Sequence, residues 1–375
     1  MRASEYPTKP FKSLLKREWN CICRQLNEME VAYDKIDWAS IDDVGYTNVL
    51  EFLKDEYGLE LREDDEHNKK KGDWNREEKE DQLSRLEQAK DREKKLAEEI
   101  AVKDFDHQEA ERIIEEMANF NKYCENVVWT TIFCLMNKGR FNVINAGAYG
   151  VGKSRGTKEI VDSWIKLDTI QQITGHITPA KMFDMFGLGG SIVVDESYTL
   201  FTNAQIKHLL RSALYDGNVV WTTKTDERTA FFEGSMIFNT NVLNNRNMND
   251  SALLDRCFIN RLDLSNAQII EKKDSNYRPD RDIWKQIKNR LLVIRNTSLK
   301  ELDEKYGLTM AECDYVDEFF NSRVRISQSR ISMRSFHRVK DIFQRTKWFF
   351  GDLSKELLEF AGNLAENYIF IGGKK

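Results

Sequence analysis

The feature that most constrains the fold is a short passage near the middle of the chain. Phe141-Asn142-Val143-Ile144-Asn145 alternates like a strand and runs directly into Ala146-Gly147-Ala148-Tyr149-Gly150-Val151-Gly152-Lys153-Ser154-Arg155-Gly156. Gly147 to Ser154 fills every fixed position of G-x-x-x-x-G-K-[ST]. Such a loop needs a buried strand before it and a helix after it, because its glycines let backbone N–H groups converge on phosphate oxygens at a helix N-terminus. The expected nucleotide contacts are therefore Gly147, Gly150, Gly152, Lys153, Ser154 and Arg155, with Lys153 on the β and γ phosphates and the Ser154 hydroxyl on Mg²⁺.

A loop of this kind needs an acidic partner on a second buried strand. Ser191-Ile192-Val193-Val194-Asp195-Glu196 has the required form: β-branched residues ending in two carboxylates. Asp195 is the expected metal anchor and Glu196 the expected general base toward an attacking water. Further short apolar runs, Thr169 to Ile177, Ser235 to Phe238 and Cys257 to Leu264, alternate with helical spacing over Ala180 to Phe186 and Asn203 to Leu214. That alternation predicts an α/β domain with a largely parallel sheet.

Taken together, the loop and the acidic strand resemble those of AAA+ ATPases, over about residues 126–350. The resemblance implies a P-loop core with a five-stranded parallel sheet, a C-terminal helical lid, ATP and Mg²⁺ as ligands, and homo-oligomers, ring or filament, whose sites lie between subunits. It also implies a polar sensor on a strand between the loop strand and the acidic strand. Met236-Ile237-Phe238-Asn239-Thr240-Asn241 fits, with Asn241 the first candidate and Asn239 the fallback. By the same resemblance Arg256 is the arginine finger, with Arg261 as its alternative, and Arg334 is the lid arginine that would touch the γ-phosphate. A surface ion pair with Asp255 is the plain alternative for Arg256, and membership of a basic face is the plain alternative for Arg334.

The remaining chain divides by composition. Residues 1–62 carry apolar residues at helical spacing (Phe11, Leu14, Leu15, Trp19, then Val49 to Leu53) and read as a small helical module. Residues 63–125 are dominated by charge. The seam started by Leu83 and Leu86 fails at Lys90 and Glu93, which predicts a solvated helical spacer rather than a coiled coil. Residues 126–266 form the expected α/β core, and from 267 to 375 the spacing is helical again. Six cysteines without C-x-x-C spacing and five scattered histidines suggest neither a disulfide framework nor a protein-built metal site. No apolar run is long enough to span a bilayer and the first residues lack a secretory leader, so a cytoplasmic location is expected.

Two classes of action remain open. A nucleic-acid motor or switch, of replication helicase, helicase-loading or transposition type, is suggested by two features. One is the run from Tyr215 to Gly234, which reads as a hairpin and in several branches of the resembled family enters a ring pore. Here Trp221 could stack on bases while Lys224 and Arg228 met phosphates. The alternative is a hairpin that only extends the sheet. The other feature is Arg323 to Lys347, where eight cationic side chains face Asp341 alone, a net of +7. A protein remodeller, recruiting its partner through residues 1–125, is suggested by the overall charge of −5 and the charged helical region. A nucleotide-controlled scaffold that barely hydrolyses is disfavoured by Glu196. Thr178 and Pro179 could line a pore, but an N-cap and first helical residue account for them.

Overall fold

The computed structural model describes residues 22, 23, 25, 26, 29, 31, 36, 49–59, 64–101, 103–222, 227–241, 251–274, 277–326 and 333–369. They belong to two compact units, Met1–Ser84 and Arg85–Lys375. In the first, Ile22, Cys23, Leu26, Ile36, Phe52 and Leu53 form a small core, and helix Val49–Tyr57 contributes Phe52 and Tyr57 with their rings edge to face at 5.6 Å. Phe11, Leu14, Leu15 and Trp19 lie outside the described residues.

The second unit is built on a five-stranded parallel sheet in the order β2-β3-β6-β1-β7. The strands are β1 (Val143–Gly147), β2 (Gln171–Thr174), β3 (Ile192–Asp195), β6 (Met236–Thr240) and β7 (Phe258–Leu262). Intervening β4 (Asn218–Thr222) and β5 (Glu227–Phe231) pair antiparallel as a separate two-stranded sheet, so the expected hairpin forms and does not extend the main sheet. Parallel strands are covered on both faces, which is why the core strands are apolar at successive positions. Val143, Val193, Ile237 and Phe258 pack on one side, with helices His107–Phe120, Glu125–Leu135, Arg155–Ile165 and Arg281–Asn296. Ile144, Ile192, Val194, Met236 and Phe238 pack on the other, with helices Pro179–Leu188 and Ala204–Tyr215.

Two expectations about organisation change. The charged region is helical over Asp64–Glu99, yet from Arg85 onward it belongs to the second unit: Leu86, Ala89 and Glu93 are buried. Glu93 accepts from the Thr169 hydroxyl at 2.6 Å and from Arg295 Nε at 3.4 Å. Helix His107–Phe120, assigned by composition to the spacer, buries Ala110, Ile113, Met117 and Phe120 in the main core. Its apolar stripe is narrow enough to be outweighed by charge in any composition window. Asp106 caps it with a full capping box shared with Glu109.

The second change concerns the basic segment. Arg345, 2% exposed, donates to Phe133 O, Lys138 O and Asp341 Oδ1. Lys347 donates to Gly307 O and Glu312 Oε2, Arg338 and Arg334 both reach Asp255, and Arg323 pairs with Glu366. Three carboxylates outside the segment, Asp255, Glu312 and Glu366, offset part of the +7, and Arg345 is spent on helix-end carbonyls, so these five cations have structural partners while Arg325 and Lys340 stay exposed. Arg330 lies outside the described residues.

Candidate functional site

The loop between β1 and helix Arg155–Ile165 sits at the C-terminal end of the sheet. Gly150 and Gly152 adopt φ of +78° and +102°, where a side chain would strain the backbone. A Cβ on Gly147 would lie 2.5 Å from Leu262 O, because β1 and β7 pair through that residue. The helix begins with i→i+5 bonding: the Glu159 N–H donates to Ser154 O at 3.0 Å, and at its far end the Lys166 N–H donates to Val161 O at 2.9 Å. Helices wound this way recur at functional sites.

Lys153 is 7% exposed, and its Nζ donates to Gly147 O at 2.8 Å and Ala148 O at 2.7 Å. Burial pulls its ammonium below the ordinary lysine value, while nearby Asp195 opposes the shift. Among the described residues it makes no ion pair. A buried cation satisfied only by two carbonyls of its own loop is a fitting partner for an anion. Ser154 is exposed, and its hydroxyl lies 3.3 and 3.5 Å from the two oxygens of Asp195 at the end of β3. A hydroxyl beside a carboxylate, both at the mouth of an anion cradle, is an oxygen donor set that suits Mg²⁺. Arg155 stacks over the Phe120 ring at 5.2 Å, and among the described residues its Nε has no hydrogen-bond partner.

Glu196 follows Asp195, exposed and with φ of +57°. A non-glycine residue in the left-handed region is uncommon and turns the chain sharply after β3. The turn is held by Ser197, whose N–H and hydroxyl both donate to Asn239 O, at 2.8 and 2.9 Å.

The strand between β1 and β3 is β6, where the sensor was expected. The residue that reaches the site is Asn239: its Nδ2 donates to Asp195 Oδ1 at 3.2 Å and to the Thr157 hydroxyl at 2.7 Å. Asn241 lies one residue past the end of β6 and is half-buried. Strand alternation points both residues to one face, so the sequence alone could not choose between them; the depth at which β6 meets Asp195 does.

The arginine candidates sit elsewhere. Arg256 and Arg334 flank the exposed ring of Tyr215, with guanidinium carbons 4.9 and 5.9 Å from its centroid. Arg334 pairs with Asp255 at 2.5 Å. Asp255 and Arg256 precede β7, whereas the loop lies beside the last residue of β7, so about 15 Å of strand separates them. Paired with Asp255, Arg334 stands at the opposite end of β7 from the loop of its own chain. These residues line a cleft of about 750 Å³ with Lys138, Arg140 and Arg338. Arg261 is exposed on β7 at the loop end of the sheet, opposite Ala146.

On the hairpin, Trp221 is half-buried and packs against the core on one side. Phe231 and Val220 are the exposed apolar residues there, and Arg228 is exposed as well. Lys224 lies outside the described residues. Thr178 accepts from the Lys181 N–H at 3.3 Å with Pro179 as first helical residue, so the capping account holds.

Three contacts to the loop were not visible in the sequence. Asn121 Nδ2 donates to Gly152 O at 3.1 Å, the Cys124 thiol to Val151 O at 3.2 Å, and Lys272 Nζ to Val151 O at 3.0 Å. A Cβ on Gly152 would meet Lys272 Nζ at 2.4 Å, so the glycine also makes room for this second lysine. Burial lowers the Lys272 ammonium as well. No local pattern marks these residues; they stand roughly thirty positions before and over a hundred after the loop. No protein-family model and no curated protein matches the chain.

Proposed function

We propose that this chain is a Mg²⁺-dependent ATPase of the AAA+ type. The observation that supports it is the convergence on one spot of Lys153 and Ser154 from the loop, Asp195 from β3 and Asn239 from β6, with Ser154 and Asn239 both directed at the Asp195 carboxylate. Lys153 would neutralise phosphate charge. Ser154 and Asp195 would hold Mg²⁺, which supplies Lewis-acid polarisation of phosphoryl oxygens. Glu196, exposed at the mouth of the site, would accept the proton of the attacking water, and Asn239 would orient Asp195. In this reading Arg256, a strand length from its own loop, would act on the nucleotide of a neighbouring copy, and the working species would be a homo-oligomer.

The same proposal assigns the motor to nucleic acid, met through the β4–β5 hairpin, and to the cytoplasm. The exposed Phe231 and Arg228 support a track contact. Among the described residues no helix is long and apolar enough to cross a membrane.

The test is the steady-state ATPase rate over a range of protein concentrations, with and without single-stranded DNA, duplex DNA and RNA. Lys153→Ala should abolish binding of ATP. Glu196→Gln should keep binding and lower turnover by about a hundredfold or more, as expected for loss of a general base. Hydrolysis retained in both variants overturns the ATPase reading. Stimulation by one nucleic acid, lost on Phe231→Ala, supports the track; indifference to all three moves the substrate to a protein partner.

A further inference from the structure

Three asparagines stand abreast in the main sheet: Asn239 of β6 is in register with Asn145 of β1, and Asn145 with Asn260 of β7. All three are buried, on the face whose neighbouring positions are Ile237, Val143 and Phe258. At such positions a parallel strand ordinarily takes Val or Ile, and a buried amide costs free energy unless its donors and acceptors are all engaged.

They are engaged in one direction. The Tyr368 hydroxyl donates to Asn260 Oδ1. Asn260 Nδ2 donates to Asn145 Oδ1 at 2.7 Å and to the Thr130 hydroxyl at 2.9 Å. Asn145 Nδ2 donates to Asn239 Oδ1 at 3.0 Å, and Asn239 Nδ2 donates to Asp195 Oδ1 at 3.2 Å. Every amide oxygen accepts from the side chain before it, and every amide nitrogen donates to the one after it.

The direction is dictated by the ends. An ionised carboxylate only accepts, so Asn239 must present its NH₂ to Asp195 and its oxygen to Asn145. The same choice then passes to Asn145 and Asn260, and Tyr368 is left as the O–H donor. Turning any one amide over would set oxygen against oxygen or NH₂ against NH₂. Aligned bonds of this kind polarise one another in a low-dielectric interior.

We infer that Asn145, Asn260 and Tyr368 are positioning residues for Asp195, acting through Asn239. The inference rests on the ATPase reading. Tyr368 lies just beyond helix Lys355–Glu366, so the C-terminal helical region bears on the metal-anchoring carboxylate through the interior of the sheet. An arginine reaching over the loop is not required for that coupling, in keeping with the position of Arg334.

The experiment uses the full chain, with kcat and KM for ATP hydrolysis and the Kd of a fluorescent ATP analogue. Tyr368→Phe removes one oxygen atom and leaves Asn260 Oδ1 without its donor. It should lower kcat about five- to tenfold, the worth of one buried hydrogen bond, and leave Kd unchanged. Asn260→Asp adds a pH signature. A protonated carboxyl has one O–H donor and one acceptor and can carry the chain, whereas the ionised form cannot donate to Asn145. Burial pushes such a carboxyl upward, so kcat of this variant should fall relative to wild type as pH rises from 6 to 9. If Asn260→Asp does not fold, Tyr368→Phe alone decides. A folded Tyr368→Phe with wild-type kcat, or an Asn260→Asp profile parallel to wild type, overturns the positioning role while wild-type activity keeps the ATPase reading intact. A wild-type chain that neither binds nor hydrolyses ATP removes the parent reading and this one together.

Discussion

At the scale of single residues, the site is an exercise in burying charge with little compensation. Lys153 is a buried and Lys272 a half-buried cation on backbone carbonyls, and Lys138 shows the same situation away from the site. Its Nζ donates to Arg295 O at 2.9 Å, and burial pulls its ammonium down to about 8 from 10.5, with the Arg295 charge adding to the effect. Between those two values the unfolded chain holds more protons than the folded one, so stability rises with pH through that window. Below it the fold carries the full cost of the charge. Lys138→Met removes the titration. The melting temperature of this variant relative to wild type should therefore be highest near pH 7 and decline toward pH 10.5. A difference that stays constant over that range would show that Lys138 does not titrate as its surroundings dictate.

At the scale of elements, helix Met333–Phe350 is joined to the core by its apolar stripe and, besides it, by Arg345. The guanidinium ties the C-terminal carbonyl of Phe133, in helix Glu125–Leu135, to Asp341 one turn back on its own helix, and stacks over Phe141 at 4.6 Å. Arg345→Met leaves the half-buried Asp341 carboxylate without its cation and the Phe133 carbonyl without its donor, and should cost about 1–3 kcal/mol. The double variant Arg345→Met with Asp341→Leu should recover a large part of that loss. Chemical denaturation of the three proteins checks it; equal stability of single and double variants would mean the pair is not coupled. This element also explains why a run with net +7 says little about polyanions. Helix spacing assigned those residues to a helix correctly, but whether each cation meets solvent or a distant carbonyl depends on elements up to two hundred residues away.

At the scale of the whole molecule, the compact unit that carries the sheet begins at Arg85. Helix His107–Phe120 and the last turns of Asp64–Glu99 close one face of the sheet. Residues 85–375 produced alone should unfold in one cooperative transition and bind the ATP analogue as the full chain does, by calorimetry and titration; failure to fold would place essential packing before Arg85. What the sequence determined by itself was local and periodic: the strand, glycine loop and helix around Lys153, the acidic end of β3, the parallel α/β alternation, the hairpin and the helical C-terminal region. These follow from steric demands within a few residues, which no distant contact needs to supply. Only the tertiary structure decided that Asn239 and not Asn241 meets Asp195, that Arg334 pairs with Asp255, that Lys272 and Asn121 support the loop, and that three asparagines join into one hydrogen-bonded chain. Each of those depends on strand order, on parallel register, or on which distant helix closes over a strand end. Such relations arise when the sheet assembles, and no single segment encodes them.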